Sequence, residues 1–241
     1  MRPDAEARAA RLNDRYRHHA AMAVLSHALT DPEVGPLALV SSFGTESVVL
    51  LHMVAVLDRR LPVLFLDTGM LFADTLAYQL EVTERLRLED VRVIRPDRAA
   101  LLERDADGLL HQAQPDACCV LRKVEPLARA LKGFDGWITG RKRFQGGARA
   151  ALEFFEADGE GRIKVNPLAH WRPEDVAEYM AENRLPRHPL AARGYRSVGC
   201  VPCTTRTAPG EGVRAGRWRG LDKTECGIHL VDGRVVRGMP A

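Results

Sequence analysis

The sequence predicts an α/β fold with a parallel sheet flanked by helices, and three observations carry that reading. Short β-prone runs at Leu37-Ala38-Leu39-Val40-Ser41, Pro62-Val63-Leu64-Phe65-Leu66 and Val91-Arg92-Val93-Ile94-Arg95 alternate with helical stretches. Turn-forming residues, Ser42 to Ser47 and Asp67-Thr68-Gly69, stand at the C-terminal ends of the first two runs, where open α/β sheets bind ligands. A β-α-β-α-β order implies parallel pairing through right-handed crossovers. With 241 residues, 46% of them apolar, and no apolar run near eighteen residues, the chain reads as one main domain outside the membrane.

Residues 4 to 29 repeat apolar positions at helical spacing and predict one packing helix, closed near Thr30-Asp31-Pro32. Its Arg- and Ala-rich start is interrupted by Asp4, Glu6 and Asp14 and leads into no apolar core, so it reads as a helix and not as a targeting segment. After the first strand, Ser41 to Ser47 opens a helix over Val48 to Leu57. Such a turn aims N–H groups and hydroxyls at a helix N-terminus, which favours a phosphate; a plain capped turn is the alternative. The Lys of a Walker loop is missing.

A helix is predicted from about Phe72 to Leu88 and a short one from Arg98 to Glu103. Cys118-Cys119 opens a helical stretch to about Leu131, and Gly136 to Gly140 is a fourth strand. Arg141-Lys142-Arg143-Phe144-Gln145-Gly146-Gly147 comes next as a basic loop, either an anion site or a solvated turn. Leu152 to Phe155 and Arg162 to Val165 read as a hairpin, and a helix begins at Pro173 and ends near Asn183. Periodicity fades beyond Pro189, which predicts loops and a mobile tail. The expected division is residues 1–30 as the packing helix, 31–205 as the main domain and 206–241 as the tail.

A formal charge of +3 is too small to demand a nucleic-acid partner. Four of five cysteines form two close pairs, Cys118-Cys119 and Cys200-x-x-Cys203, which can share a metal or cluster or form disulfides. Without a signal peptide, a reducing cytoplasm and a metal or catalytic role are expected. Adjacent helical cysteines point about 100° apart, which suits a multi-iron cluster, with one zinc ion as the alternative. Cys226 lies among Lys223, Thr224, Glu225, Gly227 and His229, a poor core segment. Lys223 and His229 favour its thiolate and Glu225 opposes it, so the readings are an exposed nucleophile or a small buried residue. Arg214 and Arg217, three apart, can clamp an anion or remain solvated.

Taken together, Ser41-Ser42-Phe43-Gly44-Thr45-Glu46-Ser47, Leu66-Asp67-Thr68-Gly69, Cys118-Cys119 with Lys123, Cys200-x-x-Cys203 and Glu225-Cys226-Gly227-Ile228-His229 resemble the assimilatory adenylyl-sulfate and phosphoadenylyl-sulfate reductases. The resemblance implies an adenine nucleotide α-hydrolase-like fold whose modified PP-loop, Ser41 to Ser47, binds the nucleotide, with Leu66 to Gly69 against the adenosine. It implies a 4Fe-4S cluster on Cys118, Cys119, Cys200 and Cys203, as in the adenylyl-sulfate branch. Cys226 would be the nucleophile, with Lys123, Arg214, Arg217 and His229 around the phosphosulfate and Lys123 and His229 assisting catalysis. The loop at 141–147 departs from the family's Gly-x-Arg-Arg-Asp/Glu-Gln-Ser pattern, and Arg143, before Lys142, is its expected anion-binding residue.

The resemblance further implies thioredoxin or glutaredoxin as electron donor, since four cluster cysteines leave none in the chain to resolve Cys226. It places the protein in sulfate assimilation and cysteine biosynthesis, in the cytoplasm, with no nucleic-acid or membrane partner and with a homo-oligomer compatible. Phosphoadenylyl sulfate, alone or with adenylyl sulfate, is the alternative substrate. An iron-sulfur RNA-thiolating enzyme is a rival class, but it should carry a Ser-Gly-Gly-x-Asp-Ser loop and a stronger basic face.

Overall fold

The sheet runs in the order β3-β2-β1-β4-β6-β5, in a computed structural model that describes residues 4–221, 223 and 225–228. Its strands are β1 (Leu37–Ser41), β2 (Val63–Leu66), β3 (Val91–Ile94), β4 (Gly136–Ile138), β5 (Phe155–Ala157) and β6 (Ile163–Val165). All neighbours pair in parallel except β5, which closes the hairpin antiparallel to β6. Period-two alternation decides which face each side chain serves. Leu37 and Leu39 of β1 and Val63 and Phe65 of β2 enter the larger core, while Ala38, Leu64 and Leu66 enter a smaller one on the opposite face.

Helices α1 (Ala5–Tyr16), α2 (Ala21–Ala28), α3 (Ser47–Leu57) and α4 (Ala73–Leu86) contribute to the larger core. Short helices α5 (Arg98–Arg104) and α6 (Leu110–Ala113) follow β3. The next helix begins as α7 (Pro115–Cys119), passes through a π-helical turn at Val120–Val124, and ends as α8 (Glu125–Ala130). Leu127 of α8 and Leu131 cover the smaller core, and α9 (Pro173–Glu182) completes the larger one through Val176 and Met180. Among the described residues no helix is long and apolar enough to cross a membrane.

The single helix expected over residues 4–29 is two, broken between Tyr16 and Ala21. Tyr16 accounts for the fold-back: its hydroxyl donates to Asp31 (2.9 Å), and its ring stacks on His27 and meets His19 edge-on. α1 then lies along the edge strand, where the Asn13 amide exchanges two hydrogen bonds with the Phe155 backbone (2.8 and 2.9 Å). Those bonds satisfy backbone groups that an open sheet edge would leave to another chain. The remaining elements fall within a few residues of expectation, and among the described residues the stretch after Pro189 is irregular apart from short 3-10 turns and isolated bridges.

His188 fixes the long segment after α9 against α4. Its Nε2 meets Thr75 Oγ1 at 3.1 Å and its Nδ1 accepts from the Leu190 N–H at 3.2 Å, so the buried ring is held neutral. Burial pushes its pKa down to about 4. Between pH 4 and 6.5 the unfolded chain binds a proton that the folded chain refuses, so this contribution is complete above pH 6.5 and is lost as pH falls. Urea titrations should show on the order of 2–3 kcal/mol less stability at pH 4.5 than at pH 7 from this residue. His188→Gln should flatten that part of the profile.

Candidate active site

The strand order reverses between β1 and β4, which lie side by side with connections leaving in opposite directions. Open α/β sheets bind ligands at such a switch point, beyond the C-terminal strand ends. A cleft opens there. One wall is the loop after β1, with Ser41, Ser42, Gly44, Thr45, Glu46 and Ser47 on its lining, and the other is Thr139 to Lys142 after β4 with Gln145 and Arg149.

The first loop is organised by its own hydroxyls. Ser41 Oγ accepts from the Phe43 N–H (3.1 Å) and Ser47 Oγ from the Gly44 N–H (2.9 Å), at the N-terminus of α3. Lys142 then joins the walls. Its ammonium, almost fully buried, donates to Glu46 (2.8 Å) and to the Gly140 carbonyl (3.1 Å).

Several expected residues have other duties. Phe43 is fully buried, with its ring edge-on to Phe65 at 5.2 Å, and does not line the cleft. Leu66 and Thr68 line it; Asp67, paired with Arg95 at 3.0 Å and holding the Gly69 N–H, and Gly69 itself do not. Arg143 also falls outside the lining, because its guanidinium is taken by the Leu152 carbonyl (2.6 Å) and Glu153 (2.7 Å). The preference for Arg143 over Lys142 is therefore reversed by placement: Arg141, Lys142 and Arg149 reach the cleft. Sequence reasoning misses Arg149, since nothing in the local sequence separates it from the other arginines of a basic loop.

Lys123, Arg214, Arg217 and Cys226 come together from three distant segments and all line the same cleft. His229 lies outside the described residues. Lys123 comes from the π-helical turn, whose extra residue per turn rotates the side chains downstream of it. Its neighbour Arg122 anchors that turn. It donates to Asp105 Oδ2 from Nε (3.0 Å) and Nη2 (2.5 Å), and to the Thr68 carbonyl at the end of β2 (2.9 Å). Burial lowers the Lys123 pKa, but the nearby sulfurs of Cys200, Cys226 and Cys119 outweigh it and hold the ammonium above its ordinary value.

Trp218 gathers the other cations. Arg217 lies over its ring at 4.6 Å, Arg214 at 5.6 Å and Lys223 at 5.8 Å. Arg217 also donates toward the Val198 carbonyl (3.3 Å), passing so close to Gly199 that a Cβ there would strike the guanidinium. Burial, and then Arg149, bring the Arg214 pKa down to about 10. Glu225 receives a two-pronged bond from Arg149 and a longer one from Arg214 (3.4 Å), and despite burial its carboxyl titrates below the usual range. The charge expected to oppose a Cys226 thiolate is thus compensated.

All five cysteines are free thiols. Cys118, Cys119 and Cys200 are buried, and Cys203 partly so. The Cys200 segment docks through Val201 N–H on the Met70 carbonyl (2.8 Å), just beyond β2, and Cys200 Sγ meets Thr68 Oγ1 at 3.2 Å. Burial, then Cys119, pushes the Cys118 thiol up to about 11; burial, then Cys200, raises Cys203. Among the described residues no group of three or more His, Cys, Asp or Glu is placed to hold a single metal ion. Thr204, which follows Cys203, and Trp218, whose backbone N–H donates to the Cys203 carbonyl (3.1 Å), each carry a buried side-chain donor, Oγ1 and Nε1, that finds no hydrogen-bond partner among the described residues.

Residues 36–206, which take in Lys123 and both cysteine pairs, match the model of a family described as the phosphoadenosine phosphosulfate reductase domain. The chain is 51% identical to the adenosine 5'-phosphosulfate reductase of Mesorhizobium japonicum over 224 residues, 93% of this chain and 88% of that one. It is 50% identical to the Chelativorans sp. protein of the same name, over 94% and 93% of the two chains. The crystal structure of a phosphoadenylyl-sulfate reductase from Candida auris, a phosphate complex, superposes with a TM-score of 0.70 at 28% identity. That match covers 82% of this chain and 96% of the other.

The Arg122–Asp105 pair is the buried anchor of the Lys123 turn, with side chains 9% and 0% exposed. Asp105→Ala strands a guanidinium away from water and should cost about 3 kcal/mol in urea unfolding, whereas an exposed pair such as Arg60–Asp58 should cost under about 1 kcal/mol.

Proposed function

The chain belongs to the phosphoadenosine phosphosulfate reductase family, and from that premise we propose that it reduces adenylyl sulfate to sulfite and AMP with thioredoxin as donor. The carrying observation is the convergence of Lys123, Arg149, Arg214 and Arg217 with Cys226 on one cleft at the switch point, opposite the Ser41–Ser47 loop. Two relatives named adenosine 5'-phosphosulfate reductases, at 51% and 50% identity over nearly the whole chain, favour adenylyl sulfate over its 3'-phosphorylated form.

Sulfate joined to phosphate is a mixed anhydride. The Cys226 thiolate attacks its sulfur, an S–S bond forms as the S–O bond to phosphate breaks, and AMP leaves with the electron pair. Thiolate and substrate are both anions, so the surrounding cations reduce their repulsion and stabilise the charge building on the departing phosphate. Lys123 lines the cleft close to Cys119, Cys200 and Cys226; Arg149, Arg214 and Arg217 hold the phosphosulfate. Ser41, Ser42 and Gly44 to Ser47, with Leu66 and Thr68, bind the adenosine and phosphate. A dithiol then attacks Cys226 Sγ, sulfite leaves with the bonding pair, and the donor's second thiol frees Cys226 as the donor becomes a disulfide. The two electrons come from thioredoxin or glutaredoxin.

Cys118, Cys119, Cys200 and Cys203 fit a 4Fe-4S cluster better than one ion. In a cubane each thiolate takes a different iron, so the four need not converge on one point. The orphaned Thr204 Oγ1 and Trp218 Nε1 suit a neighbour rich in acceptors, which cluster sulfides provide. When bound, the cluster supplies a tie between the Lys123 turn and the Cys200 segment together with local charge.

Purified anaerobically and given reduced thioredoxin, the protein should release sulfite from adenylyl sulfate at least tenfold more efficiently than from phosphoadenylyl sulfate, a discrimination of about 1.4 kcal/mol. Equal or inverted preference would reassign the substrate. Cys226→Ser should keep nucleotide binding and lose sulfite formation; substantial turnover by that variant would remove Cys226 from its role.

In steady-state assays Arg149→Ala should lower kcat/KM by a hundredfold or so, the scale of a charge-assisted contact, while Arg143→Ala stays within about twofold. Lys123→Ala should slow sulfur transfer at saturating substrate and leave the unfolding midpoint near that of the parent.

A further inference from the structure

Cys226 is preceded by two ion pairs that sulfur transfer does not itself require. One residue before it, Glu225 is gripped by Arg149 through two nitrogens and by Arg214. Three residues before it, Lys223 donates to Asp116 and to the Pro115 carbonyl (3.3 Å), at the start of the helix that carries Cys118. After it, Gly227 takes φ +85° and lies close enough to Val124 that a Cβ would stand 3.4 Å from Cγ2. Ile228 rests on the smaller core. The segment is therefore strapped along the cleft, by ion pairs before Cys226 and by packing of Gly227 and Ile228 after it.

A carboxylate beside a nucleophilic thiol is electrostatically unfavourable, and a neutral residue would serve the chemistry better if charge alone mattered. Glu225 is only 14% exposed in its side chain, and it lies between two cations that themselves line the cleft. Its charge is compensated there, and its contribution is geometric. A planar guanidinium offers five donors, and Arg149, which lines the cleft, spends two on Glu225 and one on Gln145, so the described residues leave two of its donors unused. Arg149 can thus hold the strap and an incoming anion together.

We propose that Glu225 is a positioning residue, whose pairing with Arg149 and Arg214 seats the strap so that Cys226 Sγ faces the substrate sulfur. The assignment rests on the thiol-transfer reading above and deepens it, because the arginines that recognise the substrate are the ones that seat the nucleophile. Lys223 and Asp116 form the second fastening.

The test uses the full-length, cluster-loaded protein, with Glu225→Gln and Glu225→Asp beside the parent. Three quantities are read: iodoacetamide alkylation of Cys226 without nucleotide, single-turnover S-sulfonation by adenylyl sulfate, and AMP affinity. Glu225→Gln should alkylate about tenfold faster and transfer sulfur about tenfold slower, with AMP affinity within about twofold; Glu225→Asp should fall between it and the parent.

Unchanged alkylation in Glu225→Gln, whatever its transfer rate, overturns the seating role. Faster transfer or tighter substrate binding also overturns it, because Glu225 would then be a competitor for the arginines. If the parent forms no S-sulfocysteine, the functional reading fails separately, and the alkylation comparison still decides whether Glu225 seats the strap.

Discussion

Like charges crowded into a partly buried cleft repel one another, and much of the local architecture answers that constraint. Arg214 is pressed down by burial and by Arg149, and Arg141 by burial above all. Each cation has an anionic or polarisable counterpart within reach: Glu46 for Lys142, Glu156 for Arg141, Glu225 for Arg149 and Arg214, thiols for Lys123, and the Trp218 ring for Arg217. Removing any counterpart would leave a desolvated charge, which costs far more than the pair contributes when intact. The carboxylates therefore make the density of cations tolerable while leaving guanidinium donors for a ligand.

Topology brings these groups together without long connections. The reversal between β1 and β4 opens the crevice, and the Lys142–Glu46 pair spans it, so both walls are set by the same central strands. On the β2 side the end of the strand is held twice, by Arg122 on the Thr68 carbonyl and by the Cys200 segment on Met70. The two cysteine pairs thus flank one strand end although about eighty residues separate them. This is the scaffold reason the Lys123 turn and the thiols share a neighbourhood.

The layers of the fold were legible because alternation in β1 and β2 and the turn residues after them leave few other arrangements. The first helix was not, since the break after Tyr16 depends on a tertiary contact with Asp31 and His27 that helical spacing cannot report. Most of the site was readable only through its motifs. Lys123, Arg214, Arg217 and Cys226 do meet at one cleft, but composition alone could not have distinguished them from other basic residues in an Arg-rich chain. The 141–149 loop shows the limit: Arg143 and Arg149 look alike in sequence, and Leu152 and Glu153 claim the first while Glu225 draws the second inward. Likewise the π-helical turn has no local signature, because it is fixed by Arg122 reaching Asp105 and β2.

The balance of forces on the last described residues bears on how a nucleophile can serve two partners. Ile228 is only partly buried, so its apolar contribution falls below the roughly 1.5–3 kcal/mol of a fully buried aliphatic side chain. The remaining hold is ionic, through Glu225 and Lys223. A strap anchored by a deep apolar plug would seat Cys226 firmly and release it slowly. One anchored by ion pairs can exchange them for hydration as it leaves, and water compensates part of the loss. In the proposed reaction the charge of the Cys226 thiolate moves outward onto the sulfonate oxygens, and departure of AMP removes the phosphate from the cleft. In that reaction the same arginines face a different set of anions before and after transfer.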